Sequence, residues 1–343
     1  MELGIFSLTD IRAAVDGGPR PTPGQRLDDV VAYGVLADRL GLDVFGVGEH
    51  HSHDFAVSSP APVLAAVARA TGRVRLVATA TVLTAHDPVR VYQDYATLDL
   101  LSHGRGEIVA GRSAFAEPLL LFGVDPDRLD QVYGEKLDLL LRCRDHERVT
   151  WTGTSRPDLL DAEVPPRPWA DPLPVWVGVG GSPTSALRAG DLGLPMMLGL
   201  VGGTLDNARR LVDTYRLAGE EAGHDATTLR VGLAASLYVG AATAFAREDV
   251  YPYYRRYLSA GPGRAGGWDV SRDQMNDLSE RGGALLVGGP EQVSARILDL
   301  HERLGVDRFL GQVDFGGMPR AMVEESVGRF AEEVAPAVRA AVG

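Results

Sequence analysis

Glu49, His50, His51 and His53 crowd the segment that directly follows the apolar run Val44-Phe45-Gly46-Val47. Imidazole is the side chain whose ordinary pKa lets it give or take a proton near neutral pH, and a neighbouring carboxylate can orient it. A cluster of this kind at the end of a buried parallel strand is where open and closed α/β sheets build active sites. A solvated loop rich in histidine is the competing reading. His51-Ser52-His53 also has the H-x-H form of some barrel hydrolases, but a catalytic zinc needs about three protein ligands and an open position. The other histidines (His86, His103, His146, His224, His301) are expected mostly in helices or outer loops. Asp314 alone could add a ligand from the last strand, so the set stays incomplete and no metal is expected.

The segment Val177-Gly178-Val179-Gly180-Gly181-Ser182-Pro183-Thr184-Ser185 carries a second kind of chemistry. Paired glycines let a backbone approach an anion closely, and a proline in the first helical turn sacrifices no hydrogen bond. Free N–H groups at the helix start, with the hydroxyls of Ser182 and Ser185, would cradle a phosphate. The helix dipole alone contributes only ~0.3–1 kcal/mol when exposed, so a dianion also needs a cation, and Arg112 is the candidate. A plain N-capped helix explains the same residues about equally well. Gly288-Gly289-Pro290-Glu291 is a weaker rival, because Glu291 would repel a phosphate. No G-x-S-x-G elbow is present, and Gly178-Val179-Gly180-Gly181 breaks the dinucleotide-binding spacing.

Such residues must be positioned by a scaffold, and the chain alternates strand and helix patterns nearly throughout. Strands are predicted at 3–8, 44–48, 74–83, 107–111, 174–179, 195–199, 230–239 and 307–313. Helices are predicted at 25–41, from 60 onward, and at 88–102, 126–144, 183–192, 205–222, 290–304 and 319–338. About eight βα units imply parallel strands with right-handed crossovers, and in 343 residues they favour a (β/α)8 TIM barrel forming a single domain over 1–343. Two stretches exceed a minimal barrel, a proline-rich insertion near 147–173 and an aromatic, then glycine-rich insertion near 240–285. The second reads as a mobile cover over the mouth. A net charge of −12 without a basic stripe argues against nucleic acid. A lone cysteine, Cys143, suits a reducing cytoplasm. No signal peptide opens the chain, and no apolar stretch approaches the ~20 residues that cross a bilayer.

Several segments together resemble the bacterial luciferase-like, flavin-dependent monooxygenase superfamily, nearly end to end. They are Gly48-Glu49-His50-His51, His86-Asp87-Pro88-Val89-Arg90, the run from Asp94-Tyr95-Ala96-Thr97-Leu98-Asp99 to Gly104-Arg105, and Ala110-Gly111-Arg112. They continue with Gly180-Gly181-Ser182-Pro183, Leu192-Gly193-Leu194-Pro195, Ala222-Gly223-His224-Asp225 and Val287-Gly288-Gly289-Pro290-Glu291-Gln292-Val293.

The resemblance implies FMN or reduced FMN at the barrel mouth and a homodimer. It makes His50 the acid/base residue with His51 close behind; Glu49 is expected to orient His50, and His51 and His53 are expected to line the substrate pocket. It places the phosphate on Arg112, Gly180, Gly181, Ser182 and Ser185, with Arg128 as a second arginine. It puts a non-proline cis peptide near Thr79-Ala80-Thr81, so that Ala80 would support the flavin ring. The position of the reactive luciferase cysteine is Gly111 here, so light emission is not implied. The expected reaction is oxygen transfer of the C4a-peroxyflavin type to a small organic substrate, using O2 and reduced FMN from a separate flavin reductase. Deazaflavin (F420)-dependent hydride transfer, a non-catalytic flavin-binding protein and a metal-dependent hydrolase remain alternatives.

Overall fold

The computed structural model describes residues 1–343 apart from 14, 114, 201–202, 260–267 and 281. Eleven strands lie among the described residues, in chain order β1 (Glu2–Ser7), β2 (Val44–Val47), β3 (Arg75–Val82), β4 (Gly106–Gly111), β5 (Arg148–Trp151) and β6 (Leu159–Glu163). They continue as β7 (Val175–Val179), β8 (Met196–Leu200), β9 (Val231–Val239), β10 (Leu285–Gly288) and β11 (Val306–Gln312). Eight of them close a parallel barrel in the order β1-β2-β3-β4-β7-β8-β9-β11, with β11 returning to β1. This is the expected (β/α)8 architecture. β9 is long enough to serve twice. Its first half pairs with β8 and β11, and its second half, Ser236–Val239, pairs with the extra parallel strand β10.

The strands are near-continuous runs of buried apolar residues because both faces are covered, by helices outside and side chains within. Phe6, Val44, Val77, Val109, Trp176, Met197, Ala234 and Leu310 fill the barrel interior. Helix starts follow the sequence signals. Prolines occupy the first turn at Pro23, Pro60, Pro88, Pro183 and Pro290, and Thr22 with Gln25 forms a capping box.

The insertions contain more order than their composition suggests. Between 147 and 173, β5 and β6 form an antiparallel hairpin, missed because its two strands are only four and five residues long within a proline-rich stretch. Arg148 ties it across the strands to Asp161 and Glu163. Between 240 and 285 lie helices Thr243–Ser259 and Arg272–Ser279, and β10 begins at its end. The expected mobile cover falls partly on 260–267, outside the described residues.

The end of the barrel at the strand N-termini is sealed by charge. Fully buried Arg308 pairs with Glu107 and with Glu2, and Arg75 pairs with the same Glu107. Arg308 also lies 4.4 Å over the Trp176 ring, and Arg230, paired with Glu2, lies 5.3 Å from it. Burial pushes the Glu107 carboxyl up, but the facing arginines outweigh it and hold its pKa below the ordinary value.

Candidate active site at the barrel mouth

β2 ends at Val47 and carries the chain straight into Gly48-Glu49-His50-His51, so the cluster sits on the rim where the strands finish. The Glu49 side chain is wholly buried, and its two oxygens do different work. Oε2 accepts from the backbone N–H of Val82, at the end of β3. Oε1 meets Nε2 of His51 at 2.8 Å and Nε2 of His86 at 2.7 Å. Burial raises the Glu49 pKa, and the hydrogen bonds from the two imidazoles overcome that and bring it below the ordinary value.

This corrects two expectations. Glu49 orients His51 and His86 rather than His50, and His86 belongs to the mouth rather than to an outer loop. His86 reaches Glu49 because the turn after β3, Leu83–Ala85, folds back over the rim. Glu49, His51 and His86 are also a group whose ligand atoms could surround a metal, which the H-x-H spacing did not point to, because His53 is not among them.

His50 stands apart from this network. Its ring stacks on Phe55 at 3.9 Å, nearly parallel, with Phe115 at 5.2 Å. Burial against these rings pushes its pKa down to about 4, so it is a neutral imidazole at physiological pH. His50, His51 and His86 line a cleft of about 560 Å³ with Phe55, Phe122 and several serines. His53 does not line it. Its side chain is 86% exposed and faces Asp54 at 3.6 Å.

The second rim segment follows β7. Gly180 and Gly181 have open space where a side chain would project, and Gly181 holds φ +130°, a backbone that favours glycine. Ser182 sits at the N-cap of helix Pro183–Asp191 without bonding its own helix, which leaves its hydroxyl available. Ser185 is buried one turn on. Arg112 follows β4, the neighbour of β7, and its guanidinium is held at 2.5 Å by Asp130. Arg128 bonds Thr154 and Gln131 instead.

Sequence reasoning missed Arg188. It lies on the same helix as Ser185, one turn later, 5.2 Å over the Tyr133 ring, and its Nη1 is buried without a hydrogen-bond partner. The i, i+3 spacing from Ser185 was the available signal. Open glycines and an uncommitted hydroxyl at a helix start fit an anion such as a phosphate, and the unsatisfied Arg188 nitrogen lies further along the same helix.

The expected β3 irregularity is present. The Thr79–Ala80 peptide is cis, and the β3–β4 register shifts between Ala78 and Thr81. A Cβ at Gly111 would come within 2.9 Å of the Ala80 Cβ, so Gly111 makes room for this bulge.

The family model described as luciferase-like monooxygenase matches residues 1–308. The chain belongs to this family. Limonene 1,2-monooxygenase of Rhodococcus erythropolis is 29% identical over 314 residues, covering 87% of this chain and 80% of that protein. The crystal structure of monooxygenase RslO1 from Streptomyces bottropensis superposes with a TM-score of 0.85 at 27% identity, covering 98% and 99% of the two chains. The oxygenating constituent of 3,6-diketocamphane monooxygenase from Pseudomonas putida, solved in complex with FMN, shares the fold with a TM-score of 0.78 at 21% identity over 98% of each chain. As a luciferase-like monooxygenase the protein is an oxidoreductase. Among the described residues no helix is long and apolar enough to cross a membrane.

Proposed function

We propose that this chain is a flavin-dependent monooxygenase that works with reduced FMN and O2 on a small organic substrate. The observation that carries the cofactor assignment is the anion cradle after β7, with open Gly180 and Gly181 and the free Ser182 hydroxyl at the start of helix Pro183–Asp191. Gly180, Gly181, Ser182, Ser185 and Arg112 would hold the FMN phosphate, with Arg188 added to them. Arg128, engaged by Thr154, is the weakest of the proposed contacts. Ala80 and Gly111 form the wall proposed to face the ring system.

Reduced FMN supplies the two electrons that, with O2, deliver one oxygen atom to substrate and the other to water. The protein's part is positioning and proton handling. His50, neutral and free of Glu49, has one ring nitrogen able to accept a proton and one able to donate. A group so placed typically contributes about 10²–10⁴ in rate. Glu49 holds the rings of His51 and His86 in place. Phe55, Phe115 and Phe122 restrict water around these groups.

A separate reductase supplying the reduced flavin and a homodimeric assembly belong to the same reading, checked by reductase dependence and by sedimentation. The central test is anaerobic titration of the purified chain with reduced FMN and with reduced F420, followed by admission of oxygen. Tight FMN binding and substrate-dependent oxygen consumption are expected. Tight F420 binding with oxygen-independent turnover would replace this assignment with hydride transfer.

A further inference from the structure

We propose that the cleft beside Glu49 receives the uncharged part of a substrate that donates a hydrogen bond, such as an alcohol, phenol or amide, and rejects carboxylates. The proposal rests on the reading above only in taking this cleft as the substrate's. Glu49 Oε1 meets Nε2 of both His51 and His86 at hydrogen-bond distance. An ionised oxygen facing two ring nitrogens requires an N–H on each of them. In the neutral rings the lone pair therefore lies on Nδ1, so two side chains of the lining have only acceptor nitrogens left uncommitted. The exposed Ser58 and Ser59 add hydroxyls of either polarity, and Phe55 and Phe122 add apolar surface.

Charge points the same way. Among the described residues the lining contains no arginine or lysine, and the Glu49 carboxylate lies directly behind the two imidazoles. An anion entering here would meet a like charge and two lone pairs, with only the neutral donors of His50 and the serines to receive it and no counterion. The cations lie on the other rim segment, at Arg112 and Arg188. The mouth thus sorts its ligands by charge, with the anionic portion directed to the β7 side and the neutral donor to the β2 side.

The test is titration of the full chain, with and without FMN, at about pH 8. The probes are 2-naphthol, 2-naphthoate and 2-methylnaphthalene, read by calorimetry. The naphthol is expected to bind roughly tenfold more tightly than either of the others, the value of one good hydrogen bond. Glu49→Gln should raise naphthoate affinity several-fold, and His86→Phe should cut the naphthol-to-methylnaphthalene ratio at least threefold. The second variant serves if the first does not fold. Naphthoate binding as tightly as naphthol, or an unchanged ratio in His86→Phe, overturns the proposal. So does one equivalent of zinc that is lost in His86→Ala, since Nε2 would then be a metal ligand. Failure of FMN to bind while the naphthol preference holds would remove the cofactor assignment and leave this one standing.

Discussion

The two ends of the barrel use charge in opposite ways. At the strand N-termini Glu107, Arg308, Arg75, Glu2 and Arg230 form a network in which each named charge faces an opposite one, with Trp176 packed against it. At the mouth the buried Glu49 carboxylate is met by two imidazoles and Asp314 by Arg26, while Arg188 Nη1 and the Ser182 hydroxyl stay uncommitted. The closed end satisfies its polar groups internally. The open end keeps some of that capacity in reserve for a ligand, as expected where folding and binding draw on different residues.

The largest expected effect tests the open end. His50→Ala should lower turnover by about 10²–10⁴ while FMN affinity stays within roughly twofold, measured by single-turnover kinetics and flavin titration. Unchanged turnover would remove His50 from proton transfer. Next is the closed end, where Arg308→Met leaves Glu107 without its main partner. A loss of about 3–5 kcal/mol is expected from denaturant unfolding, with FMN affinity retained in the folded fraction. A loss below 1 kcal/mol would mean that Arg75 suffices and that the network is redundant.

Arg188→Met should weaken FMN about 10–100-fold and leave riboflavin, which lacks the phosphate, unaffected. Equal losses for both flavins would assign Arg188 to packing on Tyr133. The smallest effect concerns Asp10, buried on the rim beside Asp314 and Arg26. Burial, followed by the neighbouring Asp314 charge, raises its pKa to about 6. A carboxyl raised in the folded state binds its proton more tightly there than in the unfolded chain. Its contribution is therefore most favourable below about pH 4 and is lost as pH rises through about 6. Asp10→Asn should flatten that part of the stability–pH curve by about 1–2 kcal/mol, seen in unfolding midpoints from pH 4 to 8.

The barrel was legible because each strand is a short β-branched or apolar run and many helices announce themselves with a first-turn proline. The β5–β6 hairpin was not, since only its first strand alternates, with Val149 and Trp151 buried between exposed Arg148 and Thr150, and over just four residues. The rim positions of Glu49, His50 and the 180–185 loop followed from where strands end. Their pairing did not. Glu49 and His86 are 37 residues apart and meet only because the chain after β3 doubles back. Local spacing made His51 and His53 partners, whereas the chain turns His53 outward. Arg188 was hidden by its place in a helix's last turn, where arginine ordinarily means solvent.

Phe6, Val44, Val77, Val109, Trp176, Met197, Ala234 and Leu310 fill the barrel between the sealed end and the mouth. That dry plug has a consequence for how the molecule can be altered. The rim segments 51–58 and 180–182 can be exchanged or lengthened without reaching the ion network that closes the barrel. Substrate range and thermal robustness are thereby separable traits, open to selection or engineering one at a time.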